Sequence, residues 1–441
     1  MGINNSDDTL WIAIIGAGPA GYYTAEALTK LNENARVDII DRLPTPYGLI
    51  RAGVAPDHQS IKNVARRYES TNEQENVRFV GNLSLGRDIT LKELLNLYDA
   101  VVLATGAAKD RELGIDGEAL HGVYGSGAFV GWYNSHPDYA DLDPHLDISS
   151  VAVIGNGNVA VDVARILAKT PAEMEGTDLA RHAREAINAS PIKDIYLIGR
   201  RGPLHAAFTP KELGELNKLE NCVALLDPDD MPSEKAVEDS KGATKKNLAI
   251  LKDLATNKPD DKPIRLHLKF FRRPMALLGE ACVCGIRLET TEVNDEGQTT
   301  GTGESEVLPA GMVVSCIGYK SSPIEDIPYD KNKGRFLSDS SGKIAPGLYS
   351  SGWARRGPTG TIGTNKPDGV EVARTILNDI KPAGKQGRKG LNAIIKDRSL
   401  EIVTFENWKK IDEAEIDAAL ESESRHKFTN IDTMVTVAKS N

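Results

Sequence analysis

Apolar runs alternate with helical patterns along the first forty residues of the chain. An apolar run at residues 11–15 precedes a glycine-rich turn at 16–21 and a helical pattern that extends to about Leu31. The next apolar run, at 37–40, ends on Asp41. Short buried-looking strands separated by a helix predict a parallel sheet with a right-handed crossover.

The same pattern returns in the middle of the chain. An apolar run at 151–154 precedes a glycine-rich turn at 155–160 and a helical pattern through Lys169, and another strand is predicted at 194–198. A chain of 441 residues is too long for one core. We therefore predict at least two α/β domains.

Two predicted strands that lie far apart in the sequence both end in small residues. They lie at 100–106 and 312–318, and we interpret them as returning toward nucleotide sites at the borders of interleaved domains. The polar stretch 227–262 predicts a surface insertion with a helix around 245–254. The tail from about Ala383 predicts amphipathic helices.

Composition and charge narrow the function classes. Forty per cent apolar and 26 per cent charged residues are typical of a globular protein. No apolar run approaches the roughly 18 residues of a membrane span, and the first eight residues resemble no targeting peptide. The formal charge of −10 argues against a general affinity for nucleic acid. We expect a cytoplasmic protein.

The four cysteines are Cys222, Cys282, Cys284 and Cys316, and their spacings match no metal site and no redox dithiol. Cys282 and Cys284 would share one face of a strand, where we expect buried free thiols. The spacings predict no metal and argue against a disulfide reductase.

The first glycine turn has the parts of a dinucleotide fingerprint. Gly16 allows the tight turn, Gly18 lets the backbone approach a pyrophosphate, and Gly21 permits close helix–strand packing. Asp41 comes 20 residues after Gly21, at the end of the next strand, where a carboxylate can bond a ribose diol. This site therefore favours a nucleotide with a free diol.

The second turn differs from the first in the residues at the end of its next strand. The turn ends in Ala160, which the fingerprint allows, and the next strand leads into Arg200 and Arg201 instead of an acid. A pair of guanidinium groups can grip a 2′-phosphate through charge-assisted bonds. This site therefore favours NADP(H).

Two nucleotide sites suggest a fixed flavin and a diffusible hydride donor. A predicted strand at 347–352, Trp353 at its end and a glycine-rich turn at 357–363 would let backbone amides approach a flavin. Without a dithiol the flavin must discharge to an external acceptor. The residues alone do not decide whether this acceptor is oxygen, a quinone or an iron–sulfur protein.

Longer sequence blocks lie at 46–49, 51–58, 128–134, 157–160, 199–204, 208–213 and 352–360. In these blocks the chain closely resembles adrenodoxin reductase and the bacterial NADPH–ferredoxin reductases of that type. The resemblance implies a glutathione-reductase-like α/β architecture of two Rossmann-like nucleotide-binding domains. Its FAD domain would comprise 1–108 and, with the C-terminal helices, 318–441, and its NADP domain 109–317. It also implies hydride transfer from NADPH to FAD and one-electron transfer to a ferredoxin-type iron–sulfur protein, with a cytochrome P450 among the conceivable downstream users.

The resemblance also assigns residues to the two cofactors and to catalysis. It assigns to FAD Ala20, Asp41, Leu49, Leu85, Trp353, Gly360, Thr361 and Ile362. It assigns to NADP Asn156, Gly157, Asn158, Val159, Arg200, Arg201, Glu212 and the shared Gly360. Its catalytic residues are His58, Glu212 and Asp162, with His58 near the flavin ring in positioning or proton relay. Asp41 replaces the more usual Glu.

The docking surface and two alternatives stay open. Gly214 stands where the mammalian relative has a basic residue, and Lys245 and Lys246 could supply positive charge to an acidic ferredoxin. The chain is expected to be a monomer. The alternatives are a flavin subunit of the glutamate-synthase small-subunit type and a non-catalytic NADP(H)-binding redox sensor.

Overall fold

Two units divide the chain in the computed structural model, which describes residues 8–294 and 296–440. The first unit comprises the described residues up to Lys109, a short segment at Asn134–Pro137 and the described residues from Tyr319 onward. The second comprises Asp110–Tyr133 and Asp138–Gly318. The first unit is therefore assembled from both ends of the chain.

The strands are short in both units, apart from two long antiparallel ones. In chain order they are β1 (Leu10–Ile15), β2 (Ala35–Ile40), β3 (Val77–Val80), β4 (Ala100–Leu103), β5 (Lys109–Asp110), β6 (Val123–Gly125), β7 (Ser150–Ile154), β8 (Asp194–Ile198), β9 (Cys222–Leu226), β10 (Ile264–Lys269), β11 (Arg272–Gly279), β12 (Val283–Val293), β13 (Thr299–Pro309), β14 (Met312–Ser315), β15 (Tyr319–Lys320), β16 (Tyr329–Asp330), β17 (Arg335–Phe336), β18 (Lys343–Ala345) and β19 (Leu348–Ser350).

Most helices connect strands, and several come after the last strand. They are α1 (Pro19–Leu31), α2 (Leu49–Ala52), α3 (Gln59–Lys62), α4 (Ala65–Asn72), α5 (Leu91–Leu97), α6 (Ser126–Tyr133), α7 (Asn158–Ala168), α8 (Arg181–Ala189), α9 (Pro210–Glu215), α10 (Glu234–Asp239), α11 (Gly242–Leu254), α12 (Trp353–Arg356), α13 (Asn365–Asp379), α14 (Arg388–Asp397), α15 (Phe405–Asp417) and α16 (Ile431–Lys439). Short 3-10 helices include Pro203–His205 and Ile362–Thr364. No helix within 8–294 and 296–440 is both long and apolar enough to cross a membrane.

The first unit is built on a six-stranded sheet in the order β18-β19-β4-β1-β2-β3, which is parallel except at the β18–β19 pair. Both faces of β1 are buried. Ile12 and Ile14 pack in a core shared with α1 and α13, whereas Ala13 and Ile15 belong to the core on the opposite face. A strand buried on both faces reads as an unbroken apolar run, which is the pattern seen in the sequence.

The second unit repeats this arrangement around a six-stranded parallel sheet in the order β6-β14-β7-β8-β10-β9. A separate antiparallel sheet contains β11, β12 and β13. The helix predicted around 245–254 is present as α11 (Gly242–Leu254), and its leucines Leu248, Leu251 and Leu254 are buried. The predicted polar insertion therefore contributes to the core of this unit.

Two expectations are corrected. Cys282 and Cys284, for which the sequence predicts burial, are both exposed. Their neighbour Val283 turns the other way and packs with Ile286 in a core cluster, so the apolar residues of β12 fill the buried face. Trp353 does not end a strand, because it is the first residue of α12.

The first unit contains a buried ionic network around Asp38 of β2. The Asp38 carboxylate is fully buried and accepts hydrogen bonds from Arg78, from Arg388 Nε at 2.8 Å and from Tyr98 Oη at 2.7 Å. Arg388 is the first residue of α14, and its guanidinium lies over the Trp11 ring, 5.8 Å from the ring centroid, which is within reach of a cation–π contact. A buried carboxylate is stable only when its charge is matched in this way.

Replacing Asp38 by Asn should lower the free energy of unfolding by about 3 kcal/mol, because two half-buried arginines would lose their counter-charge. Urea unfolding followed by circular dichroism measures this. The exposed pair between Glu401 and Lys439 provides the matched control, and Glu401→Gln should cost less than about 1 kcal/mol. Equal effects of the two substitutions would contradict a network that matters for stability.

Glu93 should make stability depend on pH. It closes a capping box with Thr90 at the start of α5, and hydrogen bonding to Arg398, together with that to Thr90, lowers its pKa from 4.5 to about 2. The stabilisation is complete above the unfolded pKa and is lost as pH falls from about 4.5 through about 2. Unfolding titrations across this range should show a smaller loss of stability for Glu93→Gln than for the unaltered protein.

Candidate functional site

The first glycine turn is fixed by two close backbone approaches. Gly16 has a φ of +114°, and a Cβ there would lie 2.3 Å from the carbonyl oxygen of Ala104. A Cβ on Gly21 would lie 2.1 Å from the carbonyl oxygen of Gly16. A side chain at either position would force the turn apart. At Gly18, by contrast, a Cβ would meet no atom of the described residues within 4 Å.

The open space beside Gly18 lies at the start of a helix. Gly18 is the N-cap of α1, and no side chain in the described part of the chain caps the first turn. The first N–H groups of a helix have no partner within it and carry partial positive charge. An uncapped N-terminus beside open space therefore fits a pyrophosphate.

Asp41 holds this turn in place and borders the same site. Its Oδ2 accepts a hydrogen bond from the backbone N–H of Ala17 at 2.7 Å, and its Oδ1 accepts one from Leu43 at 3.0 Å. Burial, only partly offset by these bonds, raises the pKa of Asp41 above its ordinary value. A carboxylate offers about four lone-pair positions, so acceptor capacity remains for a ribose hydroxyl. Leu83 donates its N–H to the Asp41 carbonyl, which brings the Leu85 loop to this strand end.

Leu49 lies next to the first turn. Gly48 has a φ of +48°, and a Cβ there would lie 3.0 Å from the Cα of Gly18. Tyr47 donates its N–H to the carbonyl of Ala17 at 2.8 Å. Leu49, at the start of α2, is 45% exposed although it is apolar. Such a side chain beside a nucleotide turn is available to a cofactor.

The third glycine segment packs on the start of α1. A Cβ on Gly352 would lie 2.3 Å from the Cβ of Ala20, so Trp353 begins its short helix directly against that turn. Trp353 Nε1 donates to the carbonyl of Thr359 at 3.1 Å, and its ring stacks on Tyr319 with 6.1 Å between centroids. This bond connects Trp353 to the turn that carries Gly360, Thr361 and Ile362.

His58 belongs to the first unit as well. It is buried and forms the N-cap residue of α3. Its backbone N–H donates to the carbonyl of Ala55, and its carbonyl accepts from Ile61, both at 3.0 Å. The structure therefore holds its backbone firmly in the segment that comes after Leu49.

The second glycine turn reproduces the first in the other unit. Gly155 has a φ of +142°, and a Cβ there would lie 2.4 Å from the carbonyl oxygen of Cys316. A Cβ on Gly157 would meet no described atom within 4 Å. Gly157 is the N-cap of α7 and, again, no side chain among residues 8–294 and 296–440 caps the helix. Asn158 and Val159 open this helix, so their N–H groups belong to its unsatisfied first turn.

Asn156 and Asn158 connect the second turn to two neighbouring loops. A Cβ on Gly199 would collide with the Asn156 side chain, so the segment that carries Arg200 and Arg201 lies against the turn. The Asn156 carbonyl accepts from Ala207 N–H at 2.8 Å, and Asn158 Oδ1 accepts from Thr209 N–H at 2.8 Å. Arg200 is exposed and Arg201 half-buried.

Asp162 and Glu212 lie on helices that an ionic contact joins. Arg165 is buried on α7, and its Nη2 donates to Asp162 Oδ1 at 2.8 Å. Its Nε lies 3.2 Å from Glu215 Oε2 on α9. Glu212 is buried one turn earlier on α9, where Thr209 Oγ1 accepts from its N–H at 3.4 Å.

The structure therefore sorts the predicted residues into two groups. The residues predicted for FAD, with His58, lie in the first unit, around the first glycine turn and the Trp353 segment. Those predicted for NADP, with Asp162, lie in the second unit, around the second turn and α9, apart from the shared Gly360 of the first unit.

Known proteins match both units. A model of the pyridine nucleotide-disulphide oxidoreductase family matches residues 11–209. The mitochondrial NADPH:adrenodoxin oxidoreductase of Arabidopsis thaliana is 41% identical over 464 residues, which cover 98% of this chain and 96% of that protein. The NADPH-ferredoxin reductase FprA of Mycobacterium tuberculosis is 38% identical, and the match covers 91% of this chain and 93% of that protein. A solved structure of FprA in complex with NADPH matches with a TM-score of 0.93 at 34% identity, covering 98% of this chain and 100% of that one.

This chain belongs to the adrenodoxin reductase family. The family resemblance predicted from the motif blocks is confirmed, and so is the fold class of two Rossmann-like α/β nucleotide-binding units. The prediction of an oxidoreductase is confirmed with it.

The sequence analysis did not identify three residues that connect the helices and loops around the second glycine turn. Arg165 and Glu215 join α7 to α9, and Asn247 of α11 is buried with its Nδ2 donating to the carbonyl of Phe208 at 3.0 Å. One signal was present in the sequence, because Arg165 stands three residues after Asp162 in an otherwise apolar helix. The roles of Glu215 and Asn247 depend on contacts that no local pattern marks.

Two glycines of the first turn should respond differently to alanine. Gly18→Ala adds a methyl group to open space, so the melting temperature of the cofactor-free protein should stay unchanged while bound flavin is lost. Gly21→Ala drives a methyl group into the Gly16 carbonyl and should destabilise the protein by about 1–3 kcal/mol. Thermal melting and the flavin absorbance of each purified variant measure both effects. Full flavin retention by Gly18→Ala would contradict a pyrophosphate at this position.

Proposed function

We propose that this chain is an NADPH-dependent FAD enzyme that passes electrons singly to a ferredoxin-type iron–sulfur protein. Its membership in the adrenodoxin reductase family supports the pair of cofactors and the class of partner. The relatives are named for NADPH and for adrenodoxin or ferredoxin, and one solved relative contains NADPH. When bound, FAD would connect NADPH, which donates two electrons as a hydride, to the ferredoxin, which accepts one electron at a time. A flavin accepts a hydride and can release its electrons singly.

The observation that carries the proposal is the contrast between two otherwise similar helix N-termini. Beside the first, at Gly18, Asp41 presents a carboxylate that suits a ribose diol and repels an added phosphate. Beside the second, at Gly157, Arg200 and Arg201 provide positive charge for a 2′-phosphate. The first unit is accordingly the proposed FAD domain, and the second the proposed NADP domain.

The remaining site residues receive roles from their positions. Asp41, Leu49 and Trp353 lie near the first turn, and they would hold FAD together with Ala20, Leu85 and the Gly360–Ile362 turn. Asn156–Val159 would bind the NADP pyrophosphate through first-turn N–H groups. Gly360 is proposed to serve both cofactors.

His58, Glu212 and Asp162 are proposed as the catalytic residues. Hydride transfer needs no acid, but flavin reduction takes up one accompanying proton, so these groups would position the reactants or relay that proton. Arg165 would support them by holding Asp162 and the helix that carries Glu212.

The absorbance of the purified protein tests the enzyme against the redox sensor. We expect a flavin spectrum that NADPH bleaches without oxygen, and then reduction of an added ferredoxin. A protein that binds NADP(H) but shows no flavin would support the sensor. Iron–sulfur absorbance would favour a subunit of the glutamate-synthase type.

Arg200→Ala should discriminate the two nicotinamide cofactors. Loss of a charge-assisted bond to the 2′-phosphate should raise the Michaelis constant for NADPH about ten- to a hundredfold and leave that for NADH almost unchanged. Steady-state reduction of an artificial acceptor with each cofactor measures this. Lys245→Ala, an exposed change on α11, serves as a charge-matched control and should alter neither constant. Equal effects of Arg200→Ala on both cofactors would contradict the 2′-phosphate assignment.

A cytoplasmic location, a monomeric state and the lack of a nucleic-acid partner stay predictions. Lys245 and Lys246 are both exposed on α11, which is consistent with a role in docking an acidic ferredoxin. Titration of ferredoxin reduction against salt concentration would test such steering, because screening weakens it.

A further inference from the structure

Ionisable side chains near the C-terminus are buried against a segment close to the first turn. Glu415 of α15 is 0% exposed and Lys427 is 4% exposed. Both residue types are almost never fully buried unless they are paired. Both contact Arg51 of α2, which lies more than 360 residues earlier in the chain. Lys427 Nζ also donates to the carbonyl of Asn134 at 3.3 Å.

Glu415 binds Arg51 through both carboxylate oxygens. Arg51 Nη1 donates to Oε2 at 2.8 Å, and its Nη2 donates to Oε1. The backbone N–H of Phe428 donates to Oε1 at 2.9 Å as well. The bidentate geometry fixes the direction as well as the position of the Arg51 side chain.

Two more groups hold the same segment. Lys427 Nζ donates to the Arg51 carbonyl at 2.8 Å, so the backbone of α2 is bound in addition to its side chain. Trp408 of α15 lies under the Arg51 guanidinium, 5.0 Å from ring centroid to Cζ, and its ring meets Tyr47 edge-on at 6.1 Å. The C-terminal groups thus contact residues on both sides of Gly48.

The segment that they hold needs support from outside. Tyr47 has a φ of +80°, which is unfavourable for a residue with a side chain, and Gly48 comes next with a φ of +48°. The helix α2 that begins there has four residues, too few to be stable alone. Gly48 nevertheless lies against Gly18 of the first turn.

We propose that Trp408, Glu415 and Lys427 form a C-terminal clamp that positions Tyr47–Arg51 and so keeps FAD bound. The inference rests on the proposed function, in which Leu49 of this segment contacts the flavin. The three clamp residues touch no cofactor in this scheme. They are positioning residues, which act by holding the Leu49 segment against the first glycine turn.

The rate at which FAD leaves the holoenzyme tests the clamp, measured as the rise in flavin fluorescence after dilution. Glu415→Gln keeps the shape of the side chain but loses its charge, and Lys427→Met removes the bonds from Nζ to the carbonyls of Arg51 and Asn134. Each should speed FAD release about tenfold or more, since each removes a charge-assisted hydrogen bond. Glu406→Gln is the control, because Glu406 lies on the same helix and its side chain is 81% exposed. This variant should release FAD at the rate of the unaltered protein.

A purely structural role would look different. It would lower the melting temperatures of the FAD-bound and FAD-free proteins by the same amount, whereas loss of the clamp should shrink the increase in melting temperature that FAD gives. Glu415→Asp, which restores the charge, should recover part of the retention. The Michaelis constant for NADPH should not change, because the clamp contacts none of the residues that are proposed to bind NADP.

Further outcomes separate this inference from the proposed function. Unaltered FAD release and an unaltered FAD-induced shift in both Glu415→Gln and Lys427→Met would overturn the clamp. If Leu49→Ala accelerates release while the two clamp variants do not, the flavin contact stands and the clamp fails. A purified protein without flavin would overturn the proposed function itself.

Discussion

The close approach of backbone at each glycine turn is the constraint on which the candidate sites depend. Gly16 against Ala104, and Gly155 against Cys316, allow a buried strand to turn directly into a helix. The open space beside Gly18 and Gly157 then faces a helix start that lacks a side-chain cap from any described residue. The geometry that favours an anion is therefore a property of the backbone, and it recurs in both units.

In the proposed function, the two sites gain different nucleotide specificities from the side chains that are added to this shared backbone geometry. The Asp41 carboxylate fixes the first turn through Ala17. In the proposed function, its remaining lone pairs bind a ribose hydroxyl. Arg200 and Arg201 lie on a segment held against the second turn by the contact of Asn156 with Gly199. We therefore propose that a negative charge at one strand end and positive charges at the other distinguish two sites whose backbone geometry is alike.

Stabilising contacts around the first unit connect distant parts of the chain. Arg388 reaches Asp38 across 350 residues of sequence, and Glu415 reaches Arg51 across 364. Both use C-terminal helices to satisfy charges in the N-terminal part of the same unit. The second unit uses a shorter connection, in which Arg165 joins Asp162 to Glu215. In each case a buried charge is tolerated because several partners share it.

The sequence by itself determined the strands that lead into and follow the two turns, the turns themselves and the class of nucleotide expected at each. These features depend on local patterns: unbroken apolar runs, glycine spacing, and an acid or arginines at the next strand end. It also carried the motif blocks of the family. Only the tertiary structure decided that Cys282 and Cys284 face solvent, that Trp353 opens a helix, and that Arg165 and Glu415 are buried in ionic contacts. The physical reason is that burial and pairing depend on neighbours supplied by strand order and by helices far along the chain.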